Sequence, residues 1–175
     1  MSMATLQARL ARGEPAAFAE LYDSCADRVG HYLLVRLGSW PDAEEALQET
    51  FLRLVRLRRK LADVENLAAY VFTVARNEAA RLAAHRARRQ QVPLGAAALF
   101  RLAPSADGAQ EAAERVAGAL ESLAPEWREI VELKTYGGFT FQEISRMTGL
   151  PQGTVATRYR SALAKMQAWL RRHEP

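Results

Sequence analysis

A chain of 175 residues accommodates one compact domain or two small ones. Its 49% hydrophobic and 25% charged residues are the balance of an ordinary globular protein, which excludes a disordered or collagen-like chain. The net charge of +4 is modest, and one cysteine with three scattered histidines excludes an internal disulfide and a zinc cluster.

Ten glycines and seven prolines are few for a chain rich in Ala and Leu, which predicts an all-α fold. No apolar run reaches the roughly 18 residues of a membrane helix, and the start MSMATLQARLARGEPAAF lacks the apolar core of a signal peptide. The expectation is a cytoplasmic protein without membrane insertion. In chain order, residues 16–36 place Phe18, Leu21, Tyr22, Cys25, Val29, Tyr32, Leu33 and Val35 at three- and four-residue spacings, the pattern of an amphipathic helix. Cys25 there reads as a small buried hydrophobe. Ser39-Trp40-Pro41-Asp42 then resembles a helix start, with the Ser hydroxyl available to orphan amides and Asp42 near the positive end. The helix it opens carries Ala43, Ala46, Leu47, Phe51, Leu54 and Val55 on one stripe and leaves Asp42, Glu45, Gln48, Glu49 and Arg53 on other faces. After a loop over 58–65, a third helix is predicted from Asn66 to Arg89, with Leu67, Val71, Val74, Ala75 and Leu82 sharing a face. Periodicity fails from Gln90 to Gln110, where Pro and Gly accumulate, and the segment reads as a flexible linker. Helices are expected at 111–122, at 125–136 opened by Pro125, at about 140–148 and at 152–170. The chain thus divides into helical domains at 1–89 and 111–175, joined by 90–110.

Charge is distributed in opposing blocks. Residues 1–50 hold 4 basic and 8 acidic groups, 51–89 hold 10 and 3, 90–125 hold 2 and 4, and 126–175 hold 8 and 5. Within the last block, Thr140 and Glu143 fit a capping box, Ile144 points inward, Gly149 suits a left-handed turn, and Leu150 and Val155 close a small core. That spacing is a helix-turn-helix, whose second helix fits the DNA major groove. Gln152, Thr154, Thr157, Arg158 and Arg160 lie on its exposed side, a set able to contact bases and phosphates. Val155, Tyr159, Ala162, Met166 and Leu170 fall on its core side. The helix at 66–89 aligns Thr73, Asn77, Arg81 and Arg88 beside Arg76, Arg86 and Arg89. A solvated basic face and a surface for unstacked bases, with Tyr70 and Phe72 adjacent, are both open readings of it. No paired carboxylates, nucleophile–base set or phosphate loop appears, so neither an enzyme nor a cofactor is implied.

Taken in order, AFAELY, DAEEALQETFLRL, AAYVFTVARN and ALESLAPEWREIVELKTYGGFTFQEISRMTGLPQGTVATR resemble the bacterial RNA polymerase sigma factors of the extracytoplasmic-function class. The likeness spans about residues 16–89 and 116–168. It implies two helical domains, regions 2 and 4, that bind core RNA polymerase through its β′ coiled coil and β flap and direct it to promoter DNA. By the same resemblance, Asp42, Glu45, Gln48, Glu49 and Phe51 form the docking surface for the β′ coiled coil. Asn77 meets the flipped base of the −10 element, in a pocket that the loop around Arg58–Glu65 helps to form, with Tyr70, Phe72, Thr73, Arg76 and Arg81 nearby. Gln152, Thr154, Thr157, Arg158 and Arg160 read the −35 element, and the linker threads towards the polymerase channels. Many members are held inactive by an anti-sigma factor. The family typically has Trp, Tyr and Arg where this chain has Tyr70, Phe72 and Thr73, and a basic residue at Ala156. Two fewer basic groups imply a greater reliance on polymerase for DNA affinity. A stand-alone helix-turn-helix regulator is a second reading of the residues, and it gives the basic helix with Asn77 no task; a third, a purely protein-binding helical adaptor, leaves the 154–160 surface without one.

Overall fold

The computed structural model describes residues 3–88 and 109–173. Among them are eight α-helices and no strand: α1 Met3–Arg12, α2 Pro15–Leu37, α3 Trp40–Arg56, α4 Leu67–Arg88, α5 Ala109–Glu121, α6 Pro125–Thr135, α7 Phe141–Thr148 and α8 Gln152–Arg172. A 3₁₀ segment, Arg58–Asp63, stands where a loop was expected between α3 and α4. The predicted linker lies, apart from its last two residues, outside the described residues, as does Arg89.

Local chemistry explains most boundaries. Pro15 sits in the first turn of α2, where its missing amide N–H leaves no orphan donor, and Gly38 ends the helix at φ 63, its N–H donating to the Leu34 carbonyl. Ser39 precedes α3 in an extended conformation but its hydroxyl does not cap it; instead the Ser39 Oγ accepts from Arg86 at 3.5 Å. Periodicity predicts no helix before residue 16, yet α1 forms and buries Leu6 and Leu10. Burying a leucine contributes about 1.5–3 kcal/mol, enough to order a short helix that propensity alone would leave frayed. It lies against the 3₁₀ segment, and the Gln7 amide donates to the Val64 carbonyl.

α2, α3 and α4 pack around Leu21, Val29, Leu33, Leu54, Val71 and Ala75. In the C-terminal half, α5, α6 and α7 each pack on α8. The two halves also share a core: Ile130, Leu133, Phe139, Ile144 and Val155 belong to the same buried cluster as Leu10, Tyr32 and Phe72. Tyr32, Phe72 and Phe139 form a ring series with centroids 5.5 Å and 4.9 Å apart, the second pair edge-on at 85°.

Candidate functional site

Asn66 starts α4 by accepting the Ala69 N–H on its side-chain oxygen at 2.9 Å. That cap fixes the helix so that Tyr70 and Thr73 line one side of a cavity of about 170 Å³. The Thr73 hydroxyl donates back to the Ala69 carbonyl at 2.8 Å. Arg76 follows on the next turn, and Asn77 beside it is exposed to solvent. The Phe72 ring does not share this face: it is 0% exposed and sits in the core between Tyr32 and Phe139. Its assignment among the nucleic-acid contacts is therefore corrected, because at 100° per residue position 72 turns to the same side as the buried Val71 and Ala75. Glu78, 2% exposed, receives Arg53 at 2.6 Å and Arg81 at 2.7 Å. Burial works to raise its pKa, but Arg81 and Arg53 outweigh that and hold the carboxyl below the usual value. Arg81 is thus tied to its own helix, with half of its side chain in solvent.

On α3, Glu45 and Gln48 are exposed and Glu49 and Phe51 are half-buried, the Phe51 ring lying 4.8 Å from Tyr22. Asp42, grouped with them from the sequence, is instead 5% exposed and paired with Arg86 of α4. Its place in the first turn of α3 turns it towards α4, where an arginine meets it, so it joins two helices rather than facing a partner. The outer side of this region holds a feature the sequence reading passed over: a cavity of about 320 Å³ between α2 and α3, lined by Tyr22, His31, Trp40, Glu44 and Leu47. Trp40 at 64% exposure is the signal that marks it.

The helix-turn-helix forms as its spacing predicts. Thr140 and Glu143 cap α7 reciprocally, Gly149 turns at φ 74, and Ile144 and Val155 are buried. Thr140's backbone N–H and hydroxyl, followed by Asn66, hold the Glu143 carboxyl below its ordinary pKa. On α8, Gln152, Thr157 and Arg160 are exposed and Thr154 and Arg158 half-buried along the outer side, while Ala162 is buried beneath. Three of the five are thus open to solvent and two partly covered, all of them on α8 and none on α4.

Sequence reasoning missed the ionic cluster where α2, α4 and α6 meet. Arg36 bonds Glu132 at 2.9 Å and Glu129 at 3.4 Å, Arg76 forks onto Glu129, and Arg128 bonds both Glu132 at 2.8 Å and the Val35 carbonyl at 2.6 Å. Burial opposes the Arg36 charge, but Tyr32, Glu132 and Glu129 outweigh it and raise the guanidinium pKa. Burial also pushes the neighbouring Tyr32 phenol up, against the pull of Arg36. The signal available was two carboxylates placed among the apolar Ile130, Val131 and Leu133, where an unpaired charge would be costly.

Comparison with known proteins adds to this geometry. Residues 21–91 match the family model described as Sigma-70 region 2, and 113–166 that of Sigma-70, region 4. An ECF RNA polymerase sigma factor, SigK of Mycobacterium tuberculosis, is 31% identical over 168 residues, covering 91% of this chain and 88% of that protein. BldN of Streptomyces coelicolor, another ECF RNA polymerase sigma factor, is 31% identical and the match covers 89% of this chain and 61% of that one. Among solved structures, CnrH in complex with the cytosolic domain of CnrY superposes with a TM-score of 0.73 at 21% identity, covering 98% of both chains. The sigma factor RpoE of Bartonella quintana, in complex with the anti-sigma factor NepR, superposes at 0.75 and 21% identity, covering 90% of this chain and 98% of that one. With both sigma regions matched in order and relatives aligned along most of its length, the chain belongs to the ECF class of RNA polymerase sigma factors, non-enzymatic initiation factors that bind core polymerase and direct it to promoters.

Proposed function

We propose that α4 is the surface that captures the melted −10 strand, with Asn77 contacting the extruded base and Tyr70, Thr73 and Arg76 flanking it. The observation that carries this reading is the exposure of Asn77 next to Arg76, on a helix anchored from behind by the buried Phe72. Extruding a base costs a few kcal/mol, which stacking and a shaped pocket offset. In the same reading, α8 lays Gln152, Thr154, Thr157, Arg158 and Arg160 against the −35 duplex, and α3 presents Glu45, Gln48, Glu49 and Phe51 to the β′ coiled coil. The protein acts in the cytoplasm, and an anti-sigma factor is assigned as a further partner by likeness to the RpoE–NepR complex.

The test is reconstitution with core RNA polymerase lacking any sigma factor. The chain should co-elute with the core on size-exclusion chromatography and support initiation at promoters found by sequencing the transcripts. Asn77→Ala should lower open-complex formation at least tenfold while co-elution persists. Equal loss of both would make Asn77 a structural residue and remove the −10 assignment.

A further inference from the structure

The helix α1 has no task in the function proposed so far, yet it backs one wall of the 170 Å³ cavity. The N-terminal half contributes Val64, Asn66, Ala69, Tyr70 and Thr73 to that cavity. Asn66 caps α4 and the last three lie on it, but Val64 belongs to the link between the 3₁₀ segment and α4, in an extended conformation at φ −80 and ψ 118. Val64 is half-buried between the exposed Asp63 and Glu65. Its carbonyl accepts from the side-chain amide of Gln7, 57 positions back in the chain. Between the buried Leu61 and the capping Asn66, α1 therefore supplies a tether from a different element. The helix that holds this tether is itself fixed. Leu6 and Leu10 share the core with Leu61, and Arg9 bonds Glu14 at 3.0 Å and Glu20 of α2 at 2.8 Å. Gly13, at φ 80 between α1 and α2, leaves room for the Arg58 side chain, which a Cβ there would meet at 3.1 Å.

A side-chain amide that donates to a backbone carbonyl fixes the direction of that peptide unit, and a partly buried carbonyl left without a partner is costly. Gln7 thus orients the Val64 peptide and, with it, the place of Val64 in the cavity wall. A pocket that selects a base by shape is only as selective as its wall is stiff, and a wall loose by about 1 Å admits the wrong base. We infer that α1 is the support of the −10 pocket, with Gln7 as a positioning residue that acts through Val64 to sharpen which base the pocket accepts. Gln7 does this without touching DNA. The inference rests on the assignment of α4 as the −10 surface.

The experiment uses the full-length chain bound to core RNA polymerase and the promoter found by transcript sequencing, prepared with each of the four bases at each −10 position in turn. Open-complex formation is read by permanganate reactivity of thymines in the melted strand. Gln7→Ala should reduce the preference for the favoured base by about threefold or more, the scale of one hydrogen bond, because the disfavoured bases gain while the favoured one changes little. Gln7→Glu, which keeps the length but offers the Val64 carbonyl no N–H, should do the same. Gln7→Lys restores an N–H donor and should keep the preference within about twofold of the parent. Comparing bases within one variant cancels general electrostatics, which acts on all four alike. A merely structural Gln7 would lower all four together and leave the preference where it was. That result, or a preference lost as fully in Gln7→Lys as in Gln7→Ala, overturns the inference. Asn77→Ala in the same assay tests the assignment beneath it. If Asn77→Ala moves the preference and Gln7→Ala does not, only the role of α1 fails; if neither moves it, α4 is not the −10 surface and both fall.

Discussion

Phe72 stabilises the fold through two other rings. Its contacts with Tyr32 in α2 and Phe139 before α7 join three elements, and each such pair contributes about 0.5–1.5 kcal/mol beyond the area buried. Phe72→Ala should therefore cost about 3–5 kcal/mol, read as a fall in the urea midpoint, whereas the exposed Asn77→Ala should stay within about 0.5 kcal/mol. A near-neutral Phe72→Ala would mean that the ring series is not part of the core. At this scale the sequence is ambiguous for a physical reason. An aromatic beside a basic stripe suits a base or a core equally, and only the packing of Phe139 from 67 residues further on decides between them. Asp42 is the same case in polar form: acidity places a residue at a helix start, but the partner, Arg86, comes from a different helix.

Elements were legible wherever their signals are local. The capping box of α7, the Gly149 turn and the proline start of α6 all lie within a few residues of the boundary they set. The helix α1 was not legible, since ten residues without a capping signal depend on burial of Leu6 and Leu10 against the 3₁₀ segment. α3 is the element that should respond most clearly to charge. Glu45 is exposed and Glu49 half-buried, so Glu45→Lys with Glu49→Lys should reduce co-elution with core polymerase at least tenfold, by reversing electrostatic complementarity. Thermal stability should change little by comparison. Unchanged co-elution would move the docking surface away from this side of α3, with the Trp40 cavity as the next region to test.

For the whole molecule, acid should loosen what neutral pH holds. Glu78 braces α3 to α4 through Arg53, and Glu143 caps α7 and bonds Asn66 across the two halves. Both carboxyls titrate below the ordinary 4.5 in the folded state. Their stabilisation is thus complete above that value and is lost as pH falls through their lower folded values. Unfolding temperature should drop below pH 4.5 more steeply in the parent than in Glu78→Gln, which lacks one of the two groups; parallel curves would show that Glu78 is not a source of acid lability. The division into two helical halves was readable from composition, but the way they meet was not. Arg36 and Glu132 are 96 positions apart, and no periodicity reports a pairing over that distance.

The same pairing limits how this chain can be recombined. Glu132 is wholly buried and shared by Arg36 and Arg128, whereas Arg36 and Arg76 are partly exposed, so loss of the carboxylates would leave two half-covered guanidiniums without their partners at the join. A C-terminal half transplanted from a relative would have to bring carboxylates at the positions of Glu129 and Glu132, or the recipient would have to give up Arg36 and Arg76. The halves of this protein are therefore a matched set and not interchangeable cassettes, and a chimera that ignores the match inherits an unpaired charge at its seam.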